Sequence, residues 1–321
     1  MFKNFVNKNS YGIYKKIKSK INIILFFVLA ILFMWILISA ILGDGKEEEN
    51  TTVGNQSSYK PAEAVIDGED VDETVYEKEE SIINTFVDYC NQGKITEAYN
   101  MLSSDCKEAL YPDQQSFENN YYKNIFTEKR TCNLQAWIND DNYTTYRVRY
   151  IGDIMSTGDY ENSNKYQDYI TIVTTEDNAK YLSISSYISK ERFDNIQIEA
   201  EELSIQVKYV EKYINYVDYT FEVKNKSDKI ILLDSTKNIS KTAYIITNDD
   251  KTRTCDSTSI NMLDLKVDPN NTENITLRYN KVAGSNDEDK EIHFTNIVKD
   301  YDLYMQNRND YNDFLELMIK L

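Results

Sequence analysis

The one histidine of the chain, His293, lies in the string EIHFTNI, so any Ser-His-Asp or Cys-His relay has to run through that imidazole. No activated nucleophile accompanies it, and it reads as a half-exposed strand residue. Cys90, Cys106, Cys132 and Cys255 are widely spaced and match no zinc-ligand pattern. They allow three complete disulfide pairings, among which the sequence does not choose. Cys90 reads equally well as a plain core residue at helical spacing. Asp249-Asp250 and Asp287-Glu288-Asp289 are acid pairs and runs without the alternating ligands and central glycine of a calcium loop, and they read as solvated hairpin turns. Gly152, Gly158 and Gly284 stand alone, which excludes a phosphate-binding glycine loop. Asp88 and Asp105 fall where helix surfaces or caps would put them. No catalytic, cofactor-binding or metal-ligating residue is assigned, and neither an enzyme activity nor a cofactor is expected.

The 321 residues carry 36 basic and 53 acidic side chains, a net charge of -17. That balance argues against direct nucleic-acid binding, which needs a basic face against phosphate. Only 9 glycines and 3 prolines exclude a collagenous or proline-rich chain. The abundance of Lys, Asn, Ile and 26 tyrosines is what an A+T-rich genome produces, and it points to a Gram-positive bacterial source.

The elements that would position any chemistry start with a membrane segment. Residues 21-42 are 22 positions without an ionised side chain, long enough for a helix to cross a bilayer. A cleaved signal peptide is the competing reading, although its apolar core is usually only about 7–15 residues. Six lysines and no acid occupy residues 1-20, whereas Asp44, Glu47, Glu48 and Glu49 follow the apolar run. The asymmetry predicts a basic cytoplasmic arm, a single-pass anchor over 21-42 and everything after it outside the cell membrane. Residues 43-77, with eleven acids and two lysines, read as an acidic disordered stalk.

Ile82, Ile83, Phe86, Val87 and Cys90 then repeat at helical spacing, and Gly93 is placed to end that helix. Shorter amphipathic stretches follow around Ala98 and Leu102, Ala109 and Leu110, and Phe117 and Tyr121. Period-two alternation takes over at Cys132, Leu134, Ala136 and Ile138, turns at Asp140-Asp141-Asn142, and resumes at Tyr146, Val148 and Tyr150. A second hairpin is predicted over 169-175 and 179-188. Helices followed by a curved antiparallel sheet make an α+β domain over 78-192. From 196 to 321 the pattern is all period two, with about seven short strands, which predicts an all-β sandwich. LELMIKL is expected to close it as a last strand, after a polar excursion around Tyr301 to Asn312.

Phe86, Tyr89, Ala98, Tyr99, Leu102 and Phe117 stand as in the helical portion of the nuclear transport factor 2-like fold, and residues 78-190 resemble it. The resemblance implies a cone-shaped α+β domain with helices packed on a curved sheet and a pocket inside. VDYTFEVKNKSDK resembles the immunoglobulin-like modules of Gram-positive extracellular proteins. A basic arm, one membrane helix and a cone domain together resemble the scaffold subunits of conjugation and secretion channels, with a sandwich where those relatives carry a second cone domain. The expected function is thus a non-catalytic interaction or assembly protein of the cell envelope. Its expected partners are the lipid bilayer, other envelope proteins and further copies of itself. The alternative is a sensor that binds a small molecule or a cell-wall fragment in the cone pocket.

Overall fold

In the computed structural model the described residues are 61-66, 70-140, 142-152, 166-234, 243-256, 258, 265-285 and 287-321. The expected arm, membrane helix and most of the expected stalk lie outside them. Residues from Tyr59 onward cluster as one compact unit.

Helix α1, Glu73–Asn91, begins where the Asp72 carboxylate accepts from the backbone N–H groups of Thr74 and Val75 at 2.9 and 3.3 Å. Its inward stripe is Glu79, Ile83, Phe86, Val87 and Cys90. Gly93, at φ +69, stops it: the Gly93 N–H donates to the Cys90 carbonyl and Lys94 N–H to that of Tyr89. Short helices follow, α2 (Ile95–Asn100), α3 (Ser104–Leu110), α4 (Gln114–Phe117), a π-turn (Glu118–Tyr122) and α5 (Lys123–Ile125). Ser103 caps α3 through Cys106 N–H at 3.1 Å, and a capping box of Asp113 and Ser116 starts α4.

The first sheet has the order β1 (Arg130–Asp140), β2 (Tyr143–Gly152), β3 (Tyr166–Thr174), β4 (Lys180–Ser183), all antiparallel. Leu134, Ala136, Tyr146, Val148, Ile170 and Ile172 share a core with the buried stripe of α1. A bulge between Ala136 and Ile138 leaves Trp137 as the extra residue of β1. Beyond the bulge Ile138 belongs to a different cluster, with Ile188 and Ile214. The free edge of β1 is covered: Ala136 N–H donates to the Pro61 carbonyl at 2.7 Å, and Ile66 N–H to the Trp137 carbonyl at 2.9 Å.

After β4 the chain passes through Ser185 and Ser186, both left-handed at φ +59 and +64, and leaves the first sheet. Strand β5 (Tyr187–Arg192) pairs instead with β7 (Leu203–Tyr213). The second sheet runs β13 (Thr272–Asn280), β8 (Tyr216–Asn225), β7, β5, with β6 (Gln197–Glu199) also on β7. The third runs β11 (Thr252–Thr254), β10 (Ala243–Thr247), β14 (Asp289–Val298), β9 (Ile231–Leu232), β12 (Lys266–Val267), with β15 (Phe314–Lys320) on β14. The second and third sheets share one core, in which Phe221 meets Phe294 edge-on at 5.4 Å. The polar excursion before β15 contains helix α6 (Tyr301–Gln306), capped by Asp300.

This architecture corrects the expected fold class, an α+β cone domain plus a sandwich on one transmembrane helix. The described residues are 46% strand and 23% helix, in three antiparallel sheets. The amphipathic stretches after α1 fold into pieces of at most seven residues, too short to form a helical layer. The hairpin arm expected over 179-188 ends with β4 at Ser183, and its last two residues, Tyr187 and Ile188, instead open β5, which belongs to the second sheet. Among the described residues no helix is long and apolar enough to cross a membrane.

Candidate functional site

The space between α1 and the first sheet, where a cone pocket was expected, is filled by side chains. Phe86, Phe117, Tyr121, Tyr146 and Tyr150 are all fully buried there. Asp168 lies among them. Strand alternation puts it on the same face of β3 as Ile170 and Ile172, so the fold buries a carboxylate. Tyr121 Oη donates to Asp168 Oδ2 at 2.9 Å and lies 2.9 Å from Tyr150 Oη. The Ser185 and Tyr169 N–H groups donate to the same carboxylate at 3.1 and 2.7 Å. Burial raises the Asp168 carboxyl to about 6, against the pull of these hydrogen bonds. Nearby, Glu79 takes a 2.6 Å bond from Tyr146 Oη and pairs with Lys180. Both acids are engaged by the protein's own donors, so they tie the helical segment to the sheet.

The arginines divide differently. Arg130 pairs with Glu128, Arg192 with Asp105 and Glu108, Arg253 with Asp287 and Asp289, and Arg278 with Asp218. Arg308, exposed after α6, and Arg147 and Arg149, both on β2, have no carboxylate partner among the described residues. Register sets Arg147 between Gln135 and Tyr169, and Arg149 between Asn133 and Gln167. All six therefore share the face of the sheet turned away from α1. The Arg147 guanidinium lies over the Trp137 ring at 4.7 Å and bonds Gln135 through Nη2. Trp137 meets Tyr169 edge-on at 5.3 Å. Two covered donors in this stack, Arg147 Nε and Trp137 Nε1, have no acceptor. Beside them opens a cleft of about 470 Å³, walled by Arg147, Arg149, Asn133, Gln135, Tyr76 and Glu80. This cleft is the candidate binding site.

A second cleft, of about 460 Å³, includes Ile138, Ile188, Tyr213, Lys281 and Asp289 in its lining. Asp289 and Lys281 in it are already engaged by the protein. Asp289 accepts from Tyr219 Oη at 2.8 Å, pairs with Arg253 and lies 3.6 Å from Lys281. Burial lowers the affinity of the Lys281 amine for its proton.

His293 stands on β14 with its ring stacked on Tyr244 at 4.9 Å and Nε2 3.1 Å from Glu291. All four cysteines are free thiols, and burial pushes each up to about 12. Asp287 and Asp289 are engaged by Arg253, and Asp249 by Lys251. Asp105 caps nothing and pairs with Arg192. The sequence reading passed over Arg147, Arg149 and Asp168. The first two were legible as an Arg-Val-Arg alternation in an acidic chain, and the last as an acid in phase with buried isoleucines. No family model, no curated protein and no solved structure matches this chain.

Proposed function

We propose that this chain is a non-catalytic recognition protein of the cell envelope, anchored by residues 21-42 with its folded unit outside the cell membrane. In this reading the arginine face of the first sheet is where it engages its partner. The carrying observation is that the two arginines on β2 line an open cleft without a carboxylate partner, whereas Arg130, Arg192, Arg253 and Arg278 are neutralised and the exposed Arg308 lies over the Tyr304 ring. A charge without a counter-ion beside a concave surface is available to a partner, whereas a paired one is already engaged. The lysine-rich arm and acid-rich flank support the orientation.

Two measurements on cells making the full chain test this. Protease added to intact cells should digest a C-terminal epitope and spare an N-terminal one. Crosslinked capture should recover envelope components with the native chain and lose them with the Arg147→Gln/Arg149→Gln double variant. A protected C-terminus, or recovery indifferent to the two arginines, would sink the proposal.

A further inference from the structure

We infer that the cleft beside Arg147 and Arg149 is an oxyanion site, built for a carboxylate or phosphate group of the ligand. This deepens the recognition reading and rests on it. Alternation on β2 sets the two arginines on one face, roughly 7 Å apart at their Cα atoms, a spacing that lets both guanidinium groups reach one multi-oxygen anion. Arg149 is exposed and carries no protein partner among the described residues, so its donors are free. Arg147 is held in place before any ligand arrives, its guanidinium over the Trp137 ring at 4.7 Å and bonded to Gln135 through Nη2. Its Nε–H and the Trp137 Nε1–H are covered and lack acceptors, so this stack carries donor capacity that the protein itself does not use.

The surroundings narrow the ligand further. Asn133 stands opposite Arg149 in register and adds an amide. Glu80, which accepts from Tyr76 Oη at 3.5 Å, lines the helix side of the cleft with a negative charge. An anionic group is therefore drawn to the β2 side and repelled from the α1 side, which orients it. Arginine pairs favour such geometry because each planar fork can give two parallel hydrogen bonds.

The chain has two tryptophans, Trp35 and Trp137, so a Trp35→Phe variant makes Trp137 emission a reporter of this stack. Full-length protein in detergent micelles would be titrated with inorganic phosphate and, separately, acetate, each against sodium chloride of equal ionic strength. The expected result is a saturable emission change with at least one anion, weakened about tenfold or more by Arg149→Gln, a change at an exposed position that leaves the thermal midpoint in place. Tighter phosphate binding would assign a phosphate-bearing ligand, and tighter acetate binding a carboxylate-bearing one. No saturable response beyond chloride, or an affinity unchanged in Arg149→Gln, would overturn the inference. If anions fail to bind while cellular capture still depends on both arginines, this inference falls and the recognition reading stands. If anions bind but capture ignores the arginines, the reading falls and the oxyanion site stands.

Discussion

Tyr121 Oη donates to Asp168 Oδ2 at 2.9 Å in a region where neither residue reaches solvent. The bond ties the helical segment to β3, yet it does not restore the carboxylate's ordinary acidity, because lost hydration outweighs the hydrogen bonds and the group sits at about 6. The folded chain thus holds this proton more tightly than the unfolded chain, whose value is near 3.8. The resulting stabilisation is full below pH about 4 and disappears as pH rises through about 6, a span worth roughly 3 kcal/mol. Urea midpoints measured from pH 4 to 7.5 should fall more steeply for the native chain than for Asp168→Asn, which cannot titrate. Parallel slopes would refute the assignment.

Glu79 and Lys180 are an unequal pair, the acid buried and the lysine partly exposed. Lys180→Met leaves a buried carboxylate with only the Tyr146 hydroxyl for support and should destabilise by about 3 kcal/mol. Glu79→Gln frees a lysine that can turn to water, and it should cost less. Because the two changes remove one shared interaction, the double variant should be more stable than the sum of the singles implies. Additive losses would show that the pair is uncoupled.

Asn225 is the most heavily bonded side chain of the second sheet. Its Nδ2 donates toward the carbonyls of Lys229, Val267 and Asp268 at 2.7 to 3.1 Å, and its Oδ1 accepts from Ser227 N–H and Oγ. Asn225→Asp turns a carboxylate toward three carbonyl oxygens, and Asn225→Ala leaves them without donors. Both should cost several kcal/mol, roughly 2–4, with the aspartate worse at pH 7 and improving as it is protonated. Chemical denaturation of both variants at pH 5 and 7 checks the order.

Ser186 holds a φ of +64, a conformation that costs a side-chain-bearing residue roughly 1–2 kcal/mol. Ser186→Gly relieves that cost against a smaller loss in the unfolded chain, for a net gain of about 0.5–1 kcal/mol. Ser186→Val should destabilise the fold. Ser185 is a poorer place for this experiment, because its Oγ lies 2.6 Å from Tyr111 Oη.

Local pattern made much of the secondary structure legible. The stripe of Ile83, Phe86, Val87 and Cys90 marked α1, Gly93 marked its end, and alternation through Leu134 and Ala136 marked β1. What was not legible depends on distance along the chain. Alternation makes β5 a strand but says nothing of its partner, and β7 wins it only after a reversal at two strained serines. The bulge at Trp137 moves Ile138 into another cluster, which period two cannot foresee. Asp168 reads as a surface acid until Tyr121, 47 residues away, closes over it. The arginine face was missed for a similar reason: a missing counter-ion is a property of the assembled surface, and the sequence shows only the two charges.

The backbone bonds from Pro61 and Ile66 onto β1 also bear on how the protein keeps to itself. A sheet edge with open N–H and carbonyl groups is a template on which another chain can add strands. Here the chain's own approach to its folded unit occupies that template beside Ala136 and Trp137. A version trimmed to begin at residue 78 would carry every strand of the first sheet and still expose this edge, inviting self-association through β1. The stretch before α1 therefore serves as a guard against aggregation as well as a link.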